Sequence, residues 1–424
     1  MLSIDTISNN KEETLIGLKK RGFKNLKIID EVIDLNLTRK KIQQELDQIL
    51  FESNNISKKI SEIFKSGKDD DSVPTLKEKS NNLKLRSKNL SDQLEKTKLD
   101  IFELLTSIPN IPDNEVPEGL TINDNIEVYR STEKIKSDEN LKTHWDLAKE
   151  YNIIDFELGS KITGSGFPVY KGKGAKLQRG LINYFLDKNT SAGYTEFQVP
   201  HLVNSDSAFA TGQLPDKDGQ MYNINEDNFY LIPTAEVPLT NIYRDKILSV
   251  DKIPVLLTGY TPCFRREAGS YGSEVRGLNR LHQFDKVEIV RLEHPDNSSK
   301  SLLDMKEHVK EIISELEIDF RIVNLCAGDL GFTSSITYDF EIFSKGQKKW
   351  LEISSVSNFK SYQSNRLNLK FKNKEGKNEF LHTLNGSSLA LPRVIAGLIE
   401  NNQTNEGIHV PKVLVPYTGF DLIN

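Results

Sequence analysis

The sequence predicts an α+β chain in two parts. An N-terminal antiparallel two-helix coiled-coil arm precedes a domain built on an antiparallel β-sheet flanked by helices. Three observations predict it: a heptad seam in the first part, proline-rich punctuation after it, and short Val/Ile/Tyr/Phe runs between Gly and Pro turns thereafter. The boundary is expected near residue 108, giving parts of 1–108 and 109–424.

The arm comes first. From Ile28 the positions Val32, Leu35, Arg39, Ile42, Leu46, Ile49, Ser53, Ile56, Ile60 and Ile63 alternate steps of four and three, with Arg39 and Ser53 interrupting an apolar seam. The stretch KSGKDDDSVP at 65–74 signals a turn through Gly67 and Pro74. A looser seam follows through Leu76, Leu83, Leu90, Leu94, Ile101 and Leu104. Together these predict a helical hairpin over about 28–104. Its first helix, of about 37 residues, spans roughly 55 Å. Lys58, Lys59, Lys65, Lys68, Lys77, Lys79, Lys84, Arg86 and Lys88 crowd the outer part. Such a run is either a solvated coiled-coil flank or a set of nucleic-acid phosphate contacts, which position without reading sequence.

Prolines in TSIPNIPDNEVPEG (106–119) end the second helix, and the pattern changes. A helix is expected near 173–188. Strands are expected near 193–199, 227–233, 255–267, 281–292, 318–325, 336–343 and 349–355, with Gly346 turning a hairpin. Neighbouring, hairpin-linked strands argue for a mainly antiparallel sheet. Neither a G-x-x-x-x-G-K-[ST] nor a G-x-G-x-x-G loop follows a strand, which excludes the common phosphate loops.

Composition narrows the class further. At 424 residues the chain is long enough for two domains. No run of about 18 apolar residues predicts a membrane span, and MLSIDTISNN lacks a signal-peptide layout. The two cysteines, Cys263 and Cys326, make neither a disulfide framework nor a cysteine-based zinc site, so a reducing cytoplasm is expected. A net charge of −5 opposes bulk nucleic-acid binding but permits a locally basic arm.

Within the second part, strand alternation puts Arg265 and Glu267 on one face and Arg266 on the other. The next strand aligns His282, Phe284, Lys286 and Glu288. A ring that stacks on a base, an arginine for phosphate and glutamates for amines fit a nucleotide site. A polar sheet face paired by surface ion pairs fits the same pattern. Glu236, in PTAEVPL, sits in an apolar setting that favours a cationic ligand if the carboxylate is buried. Glu352 with Ser354 and Ser355 suits magnesium or a hydroxyl, or simply a hydrogen-bonded strand end. Gly386, Ser387 and Ser388 leave room for a ligand, Pro392 opens a helix, and Arg393 emerges at its start. The histidines form no metal set, and His282 reads as a satisfied strand residue. Chemistry on this surface would be positioning and charge stabilisation, without a covalent nucleophile.

In order along the chain, NNISKKI (54–60), GYTEFQVPHLV (193–203), TGQLP (211–215), PTAEVPLTN (233–241), FRREAGSYGSEVRGLNRLHQFDKVEIV (264–290), CAGDLGFTSSITYDFEIF (326–343), LEISSVSNFKSYQSNR (351–366) and HTLNGSSLALPR (382–393) resemble the seryl-tRNA synthetases of class II. The resemblance covers nearly the whole chain. It implies a serine–tRNA ligase that forms seryl-adenylate from L-serine and ATP. The product is serine esterified to tRNA(Ser) and, where the cell has it, tRNA(Sec). The implied catalytic residues are Arg265, Arg393 and Glu352. Thr234, Ala235, Glu236, Arg265, Glu288, Asn385 and Ser387 would bind serine. Arg265, Arg266, Glu267, Leu281, Phe284, Glu352, Ile353, Ser354, Ser355 and Arg393 would make up the ATP site, with Arg266 pointing its side chain away. Glu352 and Ser355 would hold Mg2+, and Lys58, Lys59, Lys65, Lys84 and Arg86 would meet the long variable arm of the tRNA. The family also implies a six- to seven-stranded antiparallel sheet and a cytoplasmic homodimer joined through 193–203, with no membrane and no zinc. The loop after Glu267 would cover ATP. Arg266, the Ala327 of CAGD and Ser388 depart from the usual family residues without removing a catalytic side chain. A paralogue that adenylates or binds an amino acid without charging tRNA is the alternative. A coiled-coil scaffold explains only the first hundred residues.

Overall fold

The computed structural model describes residues 1–66, 71–133, 141–217, 219–267 and 276–424. They form two compact units: Leu2–Lys19 with Phe23–Pro109, and Met1 with Lys20–Gly22 and Asn110–Asn424.

In the smaller unit, α1 (Ile28–Ser66) and α2 (Val73–Ser107) contain 39 and 35 residues. Leu46, Ile49 and Ile56 of α1 are buried with Leu83, Leu90 and Leu94 of α2, and Ile42, Ile60 and Leu76 pack beside them. Arg86 pairs with Glu45, and Lys77 lies 5.4 Å from the Phe64 ring centre, so the helices run antiparallel as the seams predict. The second seam slips at its end, where Leu105 is buried instead of Leu104. An α-helix drifts about 20° per heptad, so four heptads beyond Leu76 the buried stripe has moved by nearly one residue. Of the expected turn at 65–74, residues 67–70 lie outside the described residues.

The larger unit is built on strands β1 (Ile126–Arg130), β2 (Thr195–Glu196), β3 (Val255–Phe264), β4 (Gln283–Glu293), β5 (Phe320–Asn324), β6 (Ile336–Ser344), β7 (Lys349–Asn358) and β8 (His382–Ala390). Among the described residues they make one eight-stranded sheet, ordered β1-β5-β6-β7-β8-β4-β3-β2. Every neighbouring pair is antiparallel except the edge strand β2, which runs parallel to β3 with Thr195 opposite Leu257. The expected strand at 193–199 shrinks to the two residues of β2, and β1, an edge strand with a mostly exposed pattern, has no counterpart among the expected strands. The expected strand at 227–233 shrinks to Phe229–Leu231 in a separate three-stranded sheet.

Helices α3 (Lys173–Ser191), α4 (Glu236–Asn241), α5 (Ser298–Glu315), α6 (Tyr362–Leu367) and α7 (Leu391–Asn401) surround the sheet. Leu181 and Phe185 of α3, Met305 and Ile312 of α5 and Val394 and Leu398 of α7 share one apolar core with Val287, Ile289 and Phe340. Alternation on β4 then turns Lys286 and Glu288 away from that core. Further along the same face, Val290 and Leu292 join a second cluster with Leu257 and Phe371. A polar window therefore sits between apolar layers. No helix among the described residues is long and apolar enough to cross a membrane.

Candidate active site

The window opens into a cavity of about 840 Å³. Its lining includes Thr234, Glu236, Arg265, Glu267, Leu281, Phe284, Glu288, Glu352, Ile353, Ser354, Ser355, Asn385, Ser387 and Arg393. Two residues of the expected set are not in the lining. Ala235 is fully buried as the residue preceding α4. Arg266 donates its backbone N–H to the Gln220 carbonyl at 2.9 Å.

Strand parity was the argument for pairing Arg265 with Glu267, but β3 ends at Phe264 and Glu267 has φ +49°. A turn, not a pleat, brings them to the same cavity. Glu267 is held there by Arg280, whose Nε lies 2.7 Å from its carboxylate. The Arg265 guanidinium sits 5.3 Å from the centre of the Phe284 ring, a cation–π contact. Residues 268–275, on which the expected loop cover falls, lie outside the described residues.

At one end of the cavity, ionisable groups are deeply buried. Lys286 Nζ donates to Thr234 Oγ1 at 2.8 Å and pairs with Glu288 Oε2 at 2.5 Å. The Thr234 hydroxyl donates to Glu288 at 3.3 Å and accepts the Glu236 N–H at 3.2 Å. Gln363, from α6, donates to Glu236 Oε1 at 2.6 Å and is itself held by the Thr383 hydroxyl at 2.7 Å. Two carboxylates thus share one ammonium. Burial, and then the charge of Glu288, push the Glu236 carboxyl up to about 7, against the pull of Gln363, Lys286 and Arg265. The cluster itself holds two acids to one base, with Arg265 the further cation acting on Glu236. Asn385 and Ser387 of β8 line the same cavity, and the Ser387 carbonyl accepts from the Ser354 hydroxyl at 2.6 Å.

Elsewhere in the lining, Arg393 at the start of α7 donates from Nε to the Asn279 carbonyl at 3.0 Å and from Nη1 to the Glu352 carbonyl at 2.8 Å. The Ser355 hydroxyl donates to Asp339 Oδ1 at 2.6 Å and lies 3.3 Å from Glu352 Oε1. Burial, reinforced by the charge of Glu352, holds the Asp339 carboxyl well above the usual carboxylate range. Two carboxylates and a hydroxyl make an all-oxygen donor set of the kind magnesium accepts beside phosphate.

Sequence reasoning missed Asp339 and Gln363 and left Lys286 without a role. Lys286 was legible from alternation with Phe284 and Glu288. Asp339 is directly opposite Ser355 on the neighbouring strand, which only the β6–β7 register reveals. Gln363 carries no local signal. Gly386 also differs from expectation. A Cβ there would meet Val356 at 3.0 Å, so the missing side chain makes room for the core and not for a ligand. Ser388 likewise turns inward, donating to Asn189 at 2.8 Å. His282 is satisfied by the Tyr222 hydroxyl at 2.8 Å and by stacking on Phe167.

In the smaller unit, Lys58, Lys59, Lys65, Lys84 and Arg86 are all exposed. Arg86 is engaged by Glu45, while the four lysines have no ion pair among the described residues.

The antiparallel sheet and its charged cavity define a class II aminoacyl-tRNA synthetase, and residues 220–402 match the family model for the tRNA synthetase class II core domain (G, H, P, S and T). Residues 1–112 match the seryl-tRNA synthetase N-terminal domain. A serine–tRNA ligase of Salinibacter ruber is 44% identical over 99% of this chain and 98% of its own length. The chain therefore belongs to the seryl-tRNA synthetase family. Among solved structures, the Pyrococcus horikoshii seryl-tRNA synthetase complexed with ATP superposes with a TM-score of 0.92 at 32% identity, covering 100% of this chain and 99% of that one. The cytoplasmic serine-tRNA ligase of Naegleria fowleri in complex with AMP gives 0.87 at 26% identity, with the same coverage.

Proposed function

We propose that the protein activates L-serine with ATP and esterifies it to tRNA(Ser), and to tRNA(Sec) where the cell has it. The observation that carries this reading is the buried Thr234–Lys286–Glu288–Glu236 cluster, which holds two acids to one base and to which the substrate ammonium is assigned. Asn385 and Ser387, in the same lining, are assigned to the serine hydroxyl. Arg265, lying over Phe284 and within electrostatic reach of Glu236, is assigned to bridge the serine carboxylate and the α-phosphate. Phe284 offers a stacking face for adenine, and Glu267 an acceptor for its amine.

In the first step a serine carboxylate oxygen bonds to the α-phosphorus while the bond to pyrophosphate breaks. Arg265 and Arg393 hold the reacting groups in line and neutralise charge on the phosphates. Glu352 and Ser355, with Asp339 behind, are the residues that would hold Mg2+, which supplies further phosphate neutralisation when bound. In the second step a terminal ribose hydroxyl of the tRNA attacks the seryl carbonyl and AMP leaves. The exposed arm lysines are assigned to tRNA phosphates, and residues 193–203 to a homodimer contact. A cytoplasmic location is part of the same reading.

The test is amino-acid-dependent exchange of pyrophosphate into ATP. Serine is expected to support it far better than threonine or alanine. No exchange with serine, or a stronger response to another amino acid, would overturn the reading, and exchange without tRNA charging would favour the paralogue.

A further inference from the structure

Residues 278–281 line the cavity, and the segment 276–281 that contains them is held by side chains outside it. Arg276 lies 4.7 Å from the centre of the Trp145 ring. The Leu278 N–H donates to His144 Nε2 at 2.8 Å. The Asn279 amide donates to Gln347 at 2.8 Å, and the Asn279 carbonyl accepts from Arg393.

The Leu278 N–H can only donate, so His144 Nε2 is the acceptor and the ring proton sits on Nδ1. That proton goes to Glu400 Oε1 at 2.7 Å. Glu400 also accepts the His144 backbone N–H at 2.8 Å, Gln347 Nε2 at 3.1 Å and the Ser344 hydroxyl. The His144 and Glu400 side chains are both 0% exposed. Gly277 makes the approach possible. At φ +69°, a Cβ on it would fall 2.1 Å from His144 Nε2. Glu400 lies seven residues after Arg393 on α7, about two turns along the same face. One helix therefore holds Asn279 directly through Arg393 and its neighbour Leu278 through Glu400 and His144.

We propose that His144 and Glu400 are positioning residues for the nucleotide half of the site, fixing residues 278–281 and through Asn279 the aim of Arg393. The inference rests on the adenylating function proposed above. It predicts an effect confined to ATP, because the buried serine-side cluster is held separately by Lys286 and Gln363.

Calorimetry gives ATP and serine affinities independently of catalysis, and pyrophosphate exchange gives both KM values. His144→Ala and Glu400→Ala are expected to weaken ATP by about tenfold, as for other outer-layer hydrogen-bond partners, with serine changed less than about twofold. Glu400→Gln, whose amide oxygen still accepts both His144 N–H groups, is expected to recover most of the loss. Gly277→Ala, whose Cβ would meet the His144 ring and force the segment and the ring apart, should reproduce the ATP effect and decides the matter if His144→Ala does not fold. Unchanged ATP affinity in a folded variant, or equal weakening of ATP and serine, overturns the proposal. A wild type that binds ATP but shows no serine-dependent exchange removes the proposed activity alone, and the variants' ATP affinities still test the positioning.

Discussion

Glu236 is a buried carboxyl with a second acid, Glu288, beside it and Gln363 as its hydrogen-bond donor. Its ordinary value is 4.5 and burial raises it to about 7, so between those values the folded chain holds a proton that the unfolded chain has released. Folding stability contributed by this group therefore falls as pH rises from about 4.5 to about 7, and is not regained above that. Unliganded Glu236→Gln, which keeps an acceptor for Gln363, is expected to lose less stability over that window than the wild type in chemical denaturation. Serine shows the opposite sign, since its ammonium favours the ionised carboxylate. Serine affinity should drop as pH falls below about 7, and Glu236→Gln should bind serine weakly with that dependence flattened. Calorimetry across the pH range checks both. Period-two alternation made Phe284 and Glu288 readable from sequence, because one strand face is a local property. Arg265 and Glu267 line one cavity, but not through the strand alternation that put them together in the sequence. A backbone turn at φ +49° leaves no signature in a single sequence when the residue is glutamate.

At the scale of elements, helices and strands differed in legibility. The hairpin was readable almost residue by residue, since a heptad seam repeats often enough to average out Arg39 and Ser53. Its buried set, Leu46, Ile49, Ile56, Leu83, Leu90 and Leu94, is thin. Leu90→Ala should therefore destabilise the hairpin by about 2 kcal/mol, the low end for leucine truncation, because two helices can close partly over the gap. Hydrogen exchange should quicken across α1 and α2 while β4 and β8 are unaffected, and equal quickening in the sheet would contradict this. The sheet was less legible. Strand β1 is an exposed edge element, β2 keeps only two residues of its expected strand, and the contacts that complete the site depend on a register shift in the β6–β7 hairpin (Asp339 with Ser355) or join distant segments (Gln363 with Glu236). Register decides such contacts, and register is not written locally.

For the molecule as a whole, the two units predict separable activities. Removing residues 30–100 is expected to leave serine-dependent pyrophosphate exchange near the wild-type level while tRNA charging is lost. Loss of both would mean that the larger unit does not function by itself. Reversing charge at Lys58 and Lys59 should weaken tRNA binding at low salt and reduce its salt dependence, because both side chains are exposed and neither is engaged by an acid among the described residues. Unchanged affinity under those conditions would assign the tRNA contact elsewhere.

The apolar cluster between α1 and α2 draws all of its members from those two helices. A seam that closes on itself can be lengthened, shortened or rewritten on its outer surface without changing the residues of the cavity proposed to select the amino acid. If the arm lysines meet tRNA as proposed, its outer surface can be changed while the residues of the cavity stay constant. An arm exchanged whole from a relative should carry its tRNA preference along with it.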